Sequence, residues 1–173
     1  MTRLTIRAAL SRDRVLDGVV LELNYEVYDG HPAVRKWAAI RNGGRLWLRL
    51  NRLTIDDVHL SALTHKSLAA SMFGAEPSVV ACEGPGAGYG LIAASEIPSA
   101  LRTITHQGAM MYTPALFEWV LGPGEEFTTE PVFFYGYDGP VTRTLSSVST
   151  PLNRAIEGPY MNFVNRHVGI AAA

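Results

Sequence analysis

Tyr25-Glu26-Val27-Tyr28-Asp29-Gly30-His31-Pro32-Ala33-Val34-Arg35-Lys36-Trp37, carried on to Asn42-Gly43-Gly44, is the stretch whose reading decides the fold. Leading into it, Val19, Leu21, Leu23, Tyr25 and Val27 share one parity, and Glu22, Asn24 and Glu26 share the other. Period-two alternation of this length predicts a half-buried strand over 19–28. Asp29-Gly30-His31-Pro32 predicts a turn, because Gly accepts positive φ and Pro cannot donate to a ladder. A second strand is expected from about Ala33 to Arg41. Asn42-Gly43-Gly44 then reads as a hairpin turn, with a third strand from Arg45.

These turns imply a register. Pairing Tyr28 with Ala33 sets Glu26 opposite Arg35, Asn24 opposite Trp37 and Leu21 opposite Ile40. Pairing Arg41 with Arg45 sets Ala39 opposite Trp47, Trp37 opposite Arg49 and Arg35 opposite Asn51. One face then carries Leu21, Leu23, Val27, Val34, Ala38, Ile40, Leu46, Leu48 and Leu50, and forms the expected core. The other collects Glu22, Asn24, Glu26, Arg35, Trp37, Trp47, Arg49 and Asn51. A slip of one residue would exchange the faces, so burial favours this register. Beyond Arg52 the apolar phase shifts to Leu53 and Ile55, which predicts a bulge.

Further along, residues 61–78 are mixed, with a loop or short helical turn expected near 63–70. Strands are expected over Val79 to Cys82, Tyr89 to Ser95, Leu101 to Thr105, Ala115 to Leu121 and Phe127 to Tyr137. Gly122-Pro123-Gly124-Glu125 supplies a turn, and Pro131 argues for an edge or a bulge. Near the end, Thr150-Pro151 has the form of a helix start, and Tyr160, Phe163, Val164 and Val168 lie on one helical stripe. The expected organisation is an antiparallel β-sandwich over 1–141, a Ser/Thr-rich linker over 142–150 and a C-terminal helical segment over 151–173.

The chain has 173 residues, 47% of them apolar, and a formal charge of −1. This composition builds a core, and it gives no electrostatic footprint for nucleic acid or an acidic membrane. Cys82 is the sole cysteine, so neither an intrachain disulfide nor a cysteine zinc site is available. It is expected to be buried and inert. No apolar run approaches a bilayer span, and the charged start Met1-Thr2-Arg3-Leu4-Thr5-Ile6-Arg7 lacks a signal-peptide core, so a cytoplasmic setting is expected.

The polar face with its two tryptophans is the leading candidate site. Sugars present polar rims and apolar C–H faces. Trp37 and Trp47 would stack on them, while Glu26, Arg35, Arg49 and Asn51 would hydrogen-bond. The competing reading is a solvated outer face, or one packed on another domain. His31, His59, His65, His106 and His167 show no metal-ligand spacing, and no metal or cofactor is expected. His106 could serve as an acid with Glu118 or Glu96, although no spacing supports such a pair. Gly84-Pro85-Gly86-Ala87-Gly88-Tyr89-Gly90 lacks the Gly-Lys-Ser/Thr and the helix of a phosphate loop, and reads as a structural turn.

The opening segment, taken with Gly122-Pro123-Gly124-Glu125-Glu126-Phe127-Thr128-Thr129-Glu130-Pro131 and the strand after it, resembles the N-terminal β-supersandwich domain of α-galactosidase (melibiase)-type glycoside hydrolases. Those domains carry a similar Tyr-Glu-x-Tyr-Asp-Gly-x-Pro turn, then Arg-x-Trp and a late Pro-Gly-Glu-x-Phe-Thr strand. Phe163-Val164-Asn165-Arg166-His167 is similar to the passage into their catalytic barrel. The resemblance implies a galactose-mutarotase-like fold, with the catalytic aspartates in a following (β/α)₈ barrel, so no catalytic residue is assigned here. It implies a chain that enters the sandwich midway and ends where the barrel would begin. An edge would then be left open to another chain. The implied partners are a catalytic barrel, a galactoside-like carbohydrate, or a second copy through the sheet edge. The expected role is a non-catalytic module; the alternatives are an aldose-epimerase-like sugar enzyme and a structural or oligomerising fragment.

Overall fold

The computed structural model describes residues 1–10, 16–58, 64–70, 77–96, 101–105, 109–139, 148–149, 155–156, 163 and 166–167. Its strands are β1 (Thr2–Leu10), β2 (Val19–Val27), β3 (Ala33–Asn42), β4 (Leu48–Leu50), β5 (Thr54–Asp57), β6 (Thr64–Ala70), β7 (Pro77–Glu83), β8 (Tyr89–Ser95), β9 (Arg102–Ile104), β10 (Ala109–Tyr112), β11 (Trp119–Leu121), β12 (Glu126–Thr128), β13 (Val132–Asp138), β14 (Val148–Ser149) and β15 (Ala155–Ile156). An eight-stranded sheet runs in the order β1-β2-β3-β13-β8-β7-β6, with β12 also on β3. Smaller sheets, β5-β10-β9 and β11-β4, supply the second layer. This is the antiparallel β-sandwich expected from the alternation.

The first predicted hairpin is observed. β2 and β3 pair with Glu26 opposite Arg35, Asn24 opposite Trp37 and Leu21 opposite Ile40. Gly30 at φ +77° and a bond from the His31 N–H to the Tyr28 carbonyl close the turn.

The second predicted hairpin is not. β4 lies against β11, with Leu50 opposite Trp119, and the far edge of β3 is taken by β12 and then β13. Asn42 explains the departure. Its buried Nδ2 donates to the carbonyls of Leu46 (2.8 Å) and Leu121 (3.0 Å), and its Oδ1 accepts from the Gly44 N–H (3.1 Å). Its own N–H donates to the Glu125 carbonyl at 2.9 Å. These bonds end β3 and send the chain into the second layer. The two glycines permit close backbone approach rather than a two-residue turn: a Cβ on Gly43 would sit 2.5 Å from the Gly18 oxygen, and one on Gly44 2.7 Å from the Asp17 oxygen.

Other expectations are corrected in the same way. The phase shift at Leu53 and Ile55 marks a change of sheet, since β5 pairs with β10, and the expected bulge lies there too: Met110 faces Asp56 and Met111 faces Thr54, so Ile55 is the extra residue. Residues 64–70, expected as a loop or helical turn, form β6 against β7. The charged N-terminus is strand β1, paired with β2 along its whole length. Within Ala115 to Leu121 only β11 is extended, and Phe127 to Tyr137 divides into β12 and β13. Thr129 bridges that division: its N–H donates to the Ala38 carbonyl (2.9 Å) and its Oγ1 accepts from the Ala38 N–H (3.0 Å). Pro131, which has no N–H to give, falls just before central strand β13. The linker residues 142–147, Thr150-Pro151, His59 and His106 lie outside the described residues. Ala155–Ile156, within the expected helical segment, are extended and pair with β14.

Between the layers, Val80, Cys82, Ala93 and Val132 of the large sheet pack on Ile55, Ile104, Met110, Tyr112 and Phe117. A smaller cluster joins Val19 and Ile40 to Leu48 and Leu121. Lys36 and Arg102 are buried with partners. Lys36 Nζ donates to Asp56 at 2.7 Å. Arg102 stacks on Tyr112 (4.3 Å) and donates to the Glu130 carbonyl (2.9 Å), and the Tyr112 hydroxyl donates to Glu130 Oε2 (2.6 Å). Burial pushes the Cys82 thiol up to about 11, in accord with an inert core cysteine.

Replacing Asn42 by Ala leaves two carbonyls and an amide without their partner. At about 1 kcal/mol per lost bond, the expected destabilisation is about 2–4 kcal/mol, read as a lower urea midpoint with unchanged slope. A midpoint within error of the parent would contradict the bridging role.

Candidate functional site

The second face of the large sheet, turned away from the core just described, carries the candidate site. Strand parity brings Asn24 and Glu26 of β2, Arg35 and Trp37 of β3, and Phe133 and Tyr135 of β13 to this face, with Glu96 just beyond β8. Its two halves differ. At one end Phe163 covers Tyr28, Ala33, Ile92, Phe133 and Tyr135 to make a second hydrophobic cluster. At the other the face is polar, with Asn24 and Glu26 buried and Arg35 and Trp37 partly exposed.

Arg35 organises the boundary between the halves. Its Nη1 donates to Glu26 Oε2 at 3.1 Å; its Nε and Nη2 donate to Glu96 Oε2 at 3.1 and 2.7 Å. Burial works against the charge of this guanidinium, but the bonds and charge of Glu96, then Glu26, outweigh it and raise its pKa. The neighbouring Tyr28 phenol is pushed up chiefly by burial; the Arg35 charge opposes that shift and Glu26 adds to it.

Trp37 stands beside this triad, half-buried. The Arg3 guanidinium lies 4.8 Å from its ring centre and that of Arg35 5.2 Å. Asn24 Oδ1 accepts from the Thr5 hydroxyl at 2.8 Å and from Arg3 Nη2 at 3.5 Å. Arg3 and Thr5 were missed in the sequence because β1 was not read as a strand. Their signal is the alternation of Arg3, Thr5 and Arg7 with Leu4, Ile6 and Ala8.

The six sequence candidates thus divide. Glu26, Arg35 and Trp37 come together. Trp47, Arg49 and Asn51 do not join them, because residues 45–51 belong to the second layer. Trp47, 68% exposed, lies at the rim of an apolar gap of about 420 Å³ between the layers, beside Leu21, Leu23, Ile40 and Leu48. Arg49 pairs with Glu118 at 2.6 Å on the exterior, and Asn51 is exposed. Glu96, weighed as a partner for His106, instead binds Arg35.

His31 and His167 meet next to the covered half. Their ring centres are 4.9 Å apart, and His167 is 5.2 Å from the Tyr28 ring. Among the described residues no group of three or more His, Cys, Asp or Glu is placed to hold a metal ion, and no helix is long and apolar enough to cross a membrane.

No protein-family model and no curated sequence matches the chain. Solved structures do. The GH36 α-galactosidase AgaB from Geobacillus stearothermophilus superimposes with a TM-score of 0.51 at 15% identity, over 72% of this chain and 22% of that one. A variant of AgaA from the same organism, in complex with stachyose, gives 0.51 at 12% identity, over 82% and 28%. An α-galactosidase from Lactobacillus brevis gives 0.51 at 14%, over 72% and 22%. The chain has the fold of a part of these enzymes and spans about a quarter of their length.

Replacing Arg35 by Met strands two partly buried carboxylates beside each other. The expected loss is about 1–3 kcal/mol, between the values for exposed and buried pairs. It should shrink in a triple variant with Glu26→Gln and Glu96→Gln. Equal stability of parent and Arg35→Met in urea at pH 7 would remove the triad as a structural element.

Proposed function

We propose that this chain is a non-catalytic β-sandwich module, akin to the N-terminal region of α-galactosidase-type glycoside hydrolases, that seats a catalytic barrel and offers weak carbohydrate contact at Trp37. A cytoplasmic setting is part of this reading. The observation that carries it is the triad: Glu26 and Glu96, the carboxylates beside Trp37, are both bound to Arg35. An acid and a base for glycoside cleavage need separate environments, and these two share one guanidinium. The likeness of fold to part of several α-galactosidases supports the same reading.

Carbohydrate contact would centre on Trp37, Arg3, Asn24, Glu26 and Arg35, with Trp47, Arg49 and Asn51 outside the subsite. A sugar ring stacking on the Trp37 indole competes with the guanidinium of Arg3. This limits affinity and makes the subsite a weak one. The imidazoles of His31 and His167, next to Tyr28, favour a second reading, an aldose-epimerase-like enzyme. Its activity would show as mutarotation of galactose above the buffer rate in polarimetry.

Two outcomes are expected. The purified chain has no α-galactosidase activity; turnover of a chromogenic galactoside above background would overturn the non-catalytic reading. In a titration with galactosides or oligosaccharides, Trp37→Ala weakens binding by about 1–3 kcal/mol, the loss for a stacked aromatic contact. Trp47→Ala leaves binding unchanged. Equal affinity of parent and Trp37→Ala would exclude this face as a sugar subsite.

A further inference from the structure

We infer that the outer edge of β1 pairs antiparallel with β1 of a second copy of this chain, about a two-fold axis at Ile6. β1 ends the large sheet and has β2 as its one strand partner among the described residues. All nine of its residues are exposed. Leu4, Ile6 and Leu10 are large apolar side chains exposed at 57%, 49% and 42%. They continue the apolar face of β2, because Leu4 lies opposite Tyr25, Ile6 opposite Leu23 and Leu10 opposite Val19. The strand contains no Pro and no Lys, and its register with β2 runs without a bulge; its two charges, Arg3 and Arg7, both lie on the polar face.

The strand is also self-complementary, which is what selects a second copy as its occupant. With Ile6 on the axis, Ile6 faces Ile6, Leu4 faces Ala8 and Thr2 faces Leu10 on the apolar side. On the polar side Arg3 faces Ala9 and Thr5 faces Arg7, so no like charges oppose. Moving the axis to Thr5 sets Arg3 against Arg7, and moving it to Arg7 sets Arg7 against itself; like charges directly opposite are destabilising. An axis between residues would put apolar side chains opposite polar ones and break both faces. Within its own copy Arg7 already pairs with Glu22 at 3.4 Å, and Arg3 is held against Asn24 and Trp37. The polar face therefore crosses the axis without a pileup of charge. The Met1 ammonium pairs with Asp29 and anchors the start of the strand. The resulting contact joins two eight-stranded sheets into one, and it is independent of whether the Trp37 face takes sugar.

Sedimentation of the purified chain over a concentration series tests this. The expected result is a monomer–dimer equilibrium, with dimer prominent on the order of 100 µM, as suits a small interface. Ile6→Lys, at a half-exposed edge position, places two ammonium groups on the axis and should give a monomer with unchanged circular dichroism. Ile6→Glu should do the same, and mixing the two variants should restore a dimer of one copy of each. A parent that stays monomeric at that concentration overturns the inference. So does association that survives Ile6→Lys, or growth into open-ended species, which would indicate pairing of β1 with a different edge. Failure of the Lys and Glu variants to combine overturns the placement of the axis.

Discussion

The structure depends on β3 being paired along both edges. β2 satisfies one row of its backbone groups through a tight turn; β12 and β13 satisfy the other from far along the chain. A strand so placed cannot take its own continuation as a neighbour. The chain after Asn42 must leave the sheet, and Asn42 provides for that by taking over, with its side chain, the bonds a continuing ladder would have made. The second layer, the inter-layer core and the position of β4 follow from this one exit.

The same placement makes the polar face. Arg35 lies opposite Glu26 on one side and Phe133 on the other, so it sits where the polar half of the face meets the half covered by Phe163. Glu96 reaches it only because β8 runs beside β13. A guanidinium with three donors satisfied by two carboxylates is a stiff element. It lies 5.2 Å from the Trp37 ring centre, and Arg3 reaches the same indole from β1 at 4.8 Å.

What could be read from the sequence was local. Val19 to Val27 and Ala33 to Asn42 announce themselves by alternation, and Asp29-Gly30-His31-Pro32 admits few conformations, so the β2–β3 register was legible to the residue. Glu26, Arg35 and Trp37 were grouped correctly for that reason. Trp47, Arg49 and Asn51 were grouped wrongly because Asn42-Gly43-Gly44 carries the composition of a hairpin turn. Nothing nearby in the sequence reveals that its glycines answer to the backbone of Asp17-Gly18, or its asparagine to Leu121. β1 carries the same alternation, Arg3, Thr5 and Arg7 against Leu4, Ile6 and Ala8, and its pairing with β2 is what the sequence alone leaves open. β6 escaped notice because its residues are mixed in character. The likeness to α-galactosidases was carried by the turn and strand motifs, and the superposition with AgaB extends over 72% of the chain.

Cross-strand nuclear Overhauser effects along β3 test the central claim most directly. If β3 is enclosed by β2 and β13, α-proton and amide contacts join Arg35 to Phe133 and Lys36 to Val132, while Glu26 to Arg35 contacts hold the other edge. Contacts from Trp37 to Arg49 and from Ala39 to Trp47 in their place would put a local hairpin there, and would contradict both the sheet order and the site built on it.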